Sequence, residues 1–157
     1  MKQKTNELFN SSDINTILEV LTTELATRNE SPMWTEKVGP FSRAILSVLV
    51  PLRDANMLFS PEGKSVKQLT PELFLQWSDL VSLKTLAFTI QKSNEEGKLL
   101  RTLLDASQCK KYKEIDLSDL GDYLSLNSVN LENEALDFPI SNYNFHQGVS
   151  NVIKSLL

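Results

Sequence analysis

The run from Ser31 to Asp54 constrains the fold of this chain more than any other stretch. Trp34, Val38, Phe41, Ile45, Val48 and Leu52 recur at alternating steps of four and three. That spacing places all six on one face of a helix. Pro40 and Pro51 stand inside the pattern. An interior proline removes a backbone donor and costs about 3 kcal/mol, whereas burying one large apolar side chain contributes about 1.5–3 kcal/mol. Six such side chains outweigh two breaks. The segment therefore reads as a long, kinked helix held by whatever packs on its apolar face.

The rest of the chain supplies further helices. Ser12 and Asp13 are capping residues for a helix with Ile14, Ile17, Leu18, Leu21 and Leu25 on its apolar side, fading near Asn29. Ser31-Pro32 offers a cap and a first-turn proline to the central helix, which the pattern carries past Pro51 to about Met57. Ser60-Pro61-Glu62-Gly63 has the residue types of a turn. Thr70-Pro71 opens another helix, with Leu73, Phe74 and Trp77 inward. Leu80, Leu83, Ala87 and Ile90 keep helical spacing beyond Ser78-Asp79, a plausible point for a break. Asn94 to Gly97 reads as a turn or a frayed end.

Leu99, Leu100, Leu103 and Leu104 form one more stripe, and Cys109 to Lys113 reads as a polar loop. Asp116-Leu117-Ser118-Asp119 caps a short helix through Leu124 and Leu126. Residues 127–144 are rich in asparagine, serine and acids, contain Pro139, and read as a long loop. From about Phe145 the chain is helical again, with Val149, Val152, Ile153 and Leu156 on the same face. No strand alternation, hairpin dipeptide or internal repeat is visible. The expected fold is all-α. It is a compact multi-helix domain over residues 1–157 with a long kinked central helix and a long polar loop before the last helix. Trp34, Phe41 and Trp77 are its structural anchors.

At 157 residues, 41% apolar and 23% charged, the chain suits one globular domain with a real core. A single cysteine, Cys109, excludes an internal disulfide and fits a reducing compartment or indifference to redox. No run approaches the about 18 apolar residues of a membrane span, and Met-Lys-Gln-Lys lacks the apolar core of a secretory signal. The expected location is cytoplasmic. The last helix closes on Leu156-Leu157 without a glycine cap, which raises the expectation of a domain excised from a larger protein.

Net charge is −4, which argues against non-specific nucleic-acid binding by the whole chain. The charge is uneven. Lys84 to Lys113 holds seven basic and three acidic residues, whereas Glu114 to Leu157 holds seven acids and one base.

Signatures of catalysis are sparse. The five glycines are scattered, and Gly63-Lys64-Ser65 imitates the end of a phosphate loop with Leu58 where its first glycine belongs. One histidine, His146, and one cysteine cannot form a zinc site. The carboxylate pairs Glu132/Glu134 and Asp119/Asp122 lie among polar residues, with nothing to raise a pKa for acid catalysis. The chain by itself is not expected to be an enzyme, and no cofactor is expected. A nucleophilic pair of Cys109 and His146 would require the fold to bring them together. Lys110-Lys111-Tyr112-Lys113 joins positive charge to an aromatic ring, the elements of single-strand contact, although an ordinary exposed loop has the same composition. Trp34 and Trp77 suit partner hot spots in residue type, but both sit on apolar helical faces and read as core.

Taken in order, these pieces resemble one family: the coupling proteins of conjugation and type IV secretion, the TraG/TrwB/DotL-like group. The resemblance begins at Ser31-Pro-Met-Trp34-Thr-Glu-Lys37, continues through Pro40-Phe41 and Ala44, and returns at Asp122-Tyr123-Leu124 and His146-Gln147-Gly148. In the family a Tyr-Leu pair precedes a loop, then a helix opened by a His-Gly-type turn; here Gln147 intervenes. The resemblance covers roughly Asp13 to Leu157. It implies an all-α domain inserted in a membrane-anchored, hexameric ATPase, at the cytoplasmic face of its motor, receiving relaxase–DNA complexes or effector proteins. The Walker motifs would belong to the parent chain. Lys110, Lys111, Tyr112 and Lys113, with the acidic Glu132, Glu134 and Asp137, are the candidate partner surfaces, the basic group being the candidate for DNA contact. The isolated domain is expected to be monomeric. A free-standing helical adaptor working through an apolar groove is the alternative reading.

Overall fold

The computed structural model describes residues 2–27, 32–97, 114–127, 129 and 139–156. Among them are seven helices and no strand: α1 Lys2–Ser11, α2 Ile14–Ala26, α3 Pro32–Asp54, α4 Pro71–Trp77, α5 Leu80–Glu96, α6 Ser118–Leu126 and α7 Ile140–Leu156. The all-α expectation holds.

Helix α3 is the hub. It packs against α2, α4, α6 and α7, and it runs through both Pro40 and Pro51 as one helix. Phe41, Ile45, Leu46, Val48, Leu49 and Leu52 are completely buried, so packing offsets the two missing backbone donors. Pro40 lies on the exposed side. The helix stops before the expected Met57 because Asn56 turns left-handed, at φ 57°. Met57 N–H then donates to Leu52 O at 2.8 Å and Asn56 N–H to Arg53 O at 3.1 Å. These two bonds form a Schellman closure with asparagine in the usual glycine position.

Several local expectations are met by specific bonds. Asp13 caps α2, accepting from Thr16 N–H at 2.8 Å. Thr70 Oγ1 caps α4 by accepting from Leu73 N–H, with Pro71 opening the helix. The chain breaks at Ser78-Asp79, between α4 and α5. Gly97, at φ 71°, ends α5 in the left-handed region where glycine carries no Cβ penalty.

Three expectations need correction, and one open reading is resolved. A helix, α1, precedes the expected first one. Its Phe9 is fully buried and meets the Phe74 ring edge-on at 5.4 Å. Of the two readings for Asn94 to Gly97, the helix end is the one observed: Asn94 belongs to the last turn of α5, which Gly97 closes. The Asn94 side-chain amide donates to Ile115 O (2.9 Å) and accepts from Ile115 N–H (3.1 Å), imitating a strand partner. The helix α6 begins at Ser118 behind Leu117, without a side-chain cap; Asp116 instead accepts from Ser118 N–H and Oγ in a turn before it. Finally, α7 starts at Ile140, directly after Pro139, five residues before the expected Phe145. His146, Gln147 and Gly148 therefore lie inside this helix and do not open it.

Candidate functional site

The partner surfaces expected from sequence, Lys110, Lys111, Tyr112 and Lys113 with Glu132, Glu134 and Asp137, lie outside the described residues, as does Cys109. Trp34 sits in the first turn of α3, and its side chain is likewise outside the description. Phe41 and Trp77 are completely buried. Trp77 is anchored twice: its indole N–H donates to Phe59 O at 3.1 Å, and the two rings meet edge-on at 5.6 Å. Asp119 and Asp122 are exposed on α6.

The residues that do converge come from four separate elements. Phe41 of α3, Tyr123 of α6 and His146 of α7 pack ring against ring. Centroids lie 6.0 Å apart for Phe41–Tyr123, 4.9 Å for Phe41–His146 and 5.7 Å for Tyr123–His146. Ser78, at the α4–α5 corner, completes the group. His146 Nε2 lies 2.5 Å from Ser78 O, and Nδ1 lies 2.6 Å from the Tyr123 hydroxyl.

The partners dictate the tautomer. A carbonyl oxygen only accepts, so Nε2 carries the hydrogen and donates to Ser78 O. Nδ1 is then a lone pair, and the Tyr123 O–H donates to it. One turn further along α7, Ser150 Oγ lies 2.9 Å from Ser78 Oγ. The Ser78 hydroxyl spends its one hydrogen on Leu75 O, 2.7 Å away, so Ser150 is the donor. Helix α7 thus grips the corner at two successive turns.

The surroundings favour neutral groups. Burial pulls the His146 pKa below its ordinary 6.5, with the Ser78 carbonyl and the Asp79 carboxylate acting weakly the other way. Burial likewise raises the Tyr123 phenol above its ordinary value, against a smaller opposing contribution from Asn127. Chemically the cluster is a dry, fixed-tautomer fastening. Both imidazole nitrogens are occupied, and the ring is closed to solvent. Among the described residues no three histidine, cysteine or carboxylate side chains gather as a metal site, and no helix is long and apolar enough to cross a membrane.

A second polar joint was not legible in the sequence. Arg53, in the last turn of α3, donates through Nη1 to Phe9 O (2.8 Å) and Ser12 O (2.7 Å). It thereby satisfies carbonyls at the α1–α2 corner. Its Nη2 meets Asp54 Oδ1 at 2.9 Å. Helix-end patterns mark Arg53 only as a basic residue near a C-terminus; nothing in them points to a contact more than forty residues away.

No protein-family model, curated protein or solved structure matches the chain.

Proposed function

We propose that this chain is a substrate-recognition domain of a coupling ATPase of conjugation or type IV secretion, working at the cytoplasmic face of the motor. One observation supports the reading above others. Phe41, Tyr123 and His146 come from three separate segments that carry the family resemblance, and they meet in one buried cluster. Residues on which the resemblance rests are here residues that join α3, α6 and α7. The reading gives the buried face a structural task and leaves recognition to the polar segments between helices. The candidates are the basic group Lys110, Lys111 and Lys113 and the acidic group Glu132, Glu134 and Asp137.

The test is binding of the purified 157-residue chain to the relaxase and secreted proteins encoded beside it. The expected result is salt-sensitive binding, weakened by the triple change Lys110→Glu, Lys111→Glu, Lys113→Glu or by Glu132→Lys with Glu134→Lys. ATP turnover by the chain, or binding indifferent to both sets of changes, would overturn the proposal. Binding centred on an apolar groove would favour the free-standing adaptor.

A further inference from the structure

The chain's one histidine occupies an unusual position for a group that can gain a proton near neutral pH. It is fully buried, both ring nitrogens are engaged, and its partners belong to elements other than its own. We propose that His146 is an acid-sensitive latch: neutral, it pins α7 to the Ser78 corner and to α6, and protonation releases α7 from the α3–α5 core. The inference is independent of the proposed function.

The mechanism follows from proton bookkeeping at the ring. A proton taken from solvent must go onto Nδ1, since Nε2 already carries one. The Tyr123 hydroxyl must then change from donor to acceptor, and its own hydrogen must find another acceptor inside the cluster. The same event places a positive charge in a site closed to water. Both changes strain the side of α7 that faces the core. The Nε2–H bond to Ser78 O and the Ser78–Ser150 contact persist at the corner, so the contact that protonation breaks is the one from the Tyr123 hydroxyl of α6 to Nδ1.

The charged neighbours do not rescue the imidazolium. From the α4–α5 corner, Asp79 is the carboxylate that favours it, and it is partly exposed. On α5, the basic side chain of Lys84 is buried and offers no counter-charge. From α3 the ring meets uncharged Phe41, while Lys37 and Arg43 are exposed. From α6 it meets Tyr123, while Asp119 and Asp122 are exposed. Glu19 of α2 and Lys154 of α7 are also exposed. The sign is therefore set. His146 is harder to protonate folded than unfolded, so docking of α7 is complete above pH 6.5 and weakens as pH falls below it.

The experiment uses the whole chain with 15N-labelled histidine, whose ring signals need no assignment because there is one such residue. Ring protonation by NMR and amide protection in α5 and α7 are followed together from pH 7.5 downward. The expected result is the neutral Nε2–H tautomer at pH 7.5. Below pH 6.5, protection in α7 should fall about tenfold per pH unit, the slope of one linked proton, and drop beneath that of α5. In His146→Gln, α7 protection should be flat over the same interval. Parallel loss in α5 and α7 to one common level would overturn the latch, reducing His146 to a contributor to global stability. So would a protonated ring with α7 still protected, or a ring that stays neutral until the chain unfolds. Should His146→Gln fail to fold, the comparison of α5 with α7 in the unaltered chain decides alone.

Discussion

Replacing Arg53 by methionine isolates the joint that ties α1 and α2 to the end of α3. The side chain is 9% exposed, and methionine keeps its apolar stem while removing the guanidinium fork. Two bonds to backbone carbonyls are lost, at Phe9 O and Ser12 O. Hydrogen bonds from a charged donor contribute about 1.5–3 kcal/mol each. Rehydration of the freed carbonyls at this partly buried corner recovers some of that. The expected loss is about 2–4 kcal/mol, which for a domain of this size lowers Tm by roughly 5–15 °C. The ion pair with Asp54 contributes little, because Asp54 is 63% exposed. Asp54→Asn should therefore stay within about 0.5 kcal/mol of the unaltered chain. Urea unfolding of both variants, followed by circular dichroism, gives the comparison. Arg53→Met unfolding at the unaltered midpoint would show that the two carbonyl contacts do not hold the corner. An equal loss in Asp54→Asn would show that the ion pair, and not the carbonyl contacts, holds the corner.

Further outcomes are expected elsewhere in the fold. Trp77→Phe keeps a buried ring but removes the indole N–H that donates to Phe59 O, and should cost about 1–3 kcal/mol in the same unfolding assay. Ser42 Oγ on α3 is buried with no hydrogen-bond partner among the described residues; Ser42→Ala should raise stability by about 0.5–1 kcal/mol, and a fall would contradict that geometry. Gly97→Ala forces a Cβ into the left-handed region at the end of α5 and should destabilise by about 1 kcal/mol, read as a lower thermal midpoint. Below pH 4, loss of the Asp13 cap adds to acid sensitivity. The Thr16 hydrogen bonds hold that carboxyl below its ordinary 3.8, so its contribution is present above 3.8 and lost as pH falls through the folded value. In Asp13→Ala that part of the pH dependence should vanish.

What could be read in advance follows from where the information lies. The apolar repeat of α3, the Asp13 and Thr70 caps and the stop at Gly97 are local features, and each appears where spacing or residue type puts it. Helix α1 escaped because Lys2 to Ser11 offers two large apolar residues, Leu8 and Phe9, and no stripe. Its burial depends on Phe74, a distant partner. The start of α7 was hidden by Pro139 and by asparagines and serines of low helix propensity, although a proline just before a helix is well tolerated. Asn56 was the available signal for the end of α3, since asparagine follows glycine as the commonest left-handed terminator. The candidate site divides in the same way. Aromatic type and helical phase marked Phe41 and Trp77 as core. Nothing in the spacing of Tyr123 and His146 reveals that the phenol meets Nδ1 while a serine carbonyl meets Nε2. Such contacts are products of tertiary geometry, and they convert an isolated histidine into the fastening of four elements.

The proposed membership of a coupling ATPase is tested by the DNA sequence on either side of the coding region. The expected result is one reading frame continuing in both directions, with a Walker A motif upstream and a Walker B motif downstream. A frame that opens at Met1 and closes after Leu157 would contradict it.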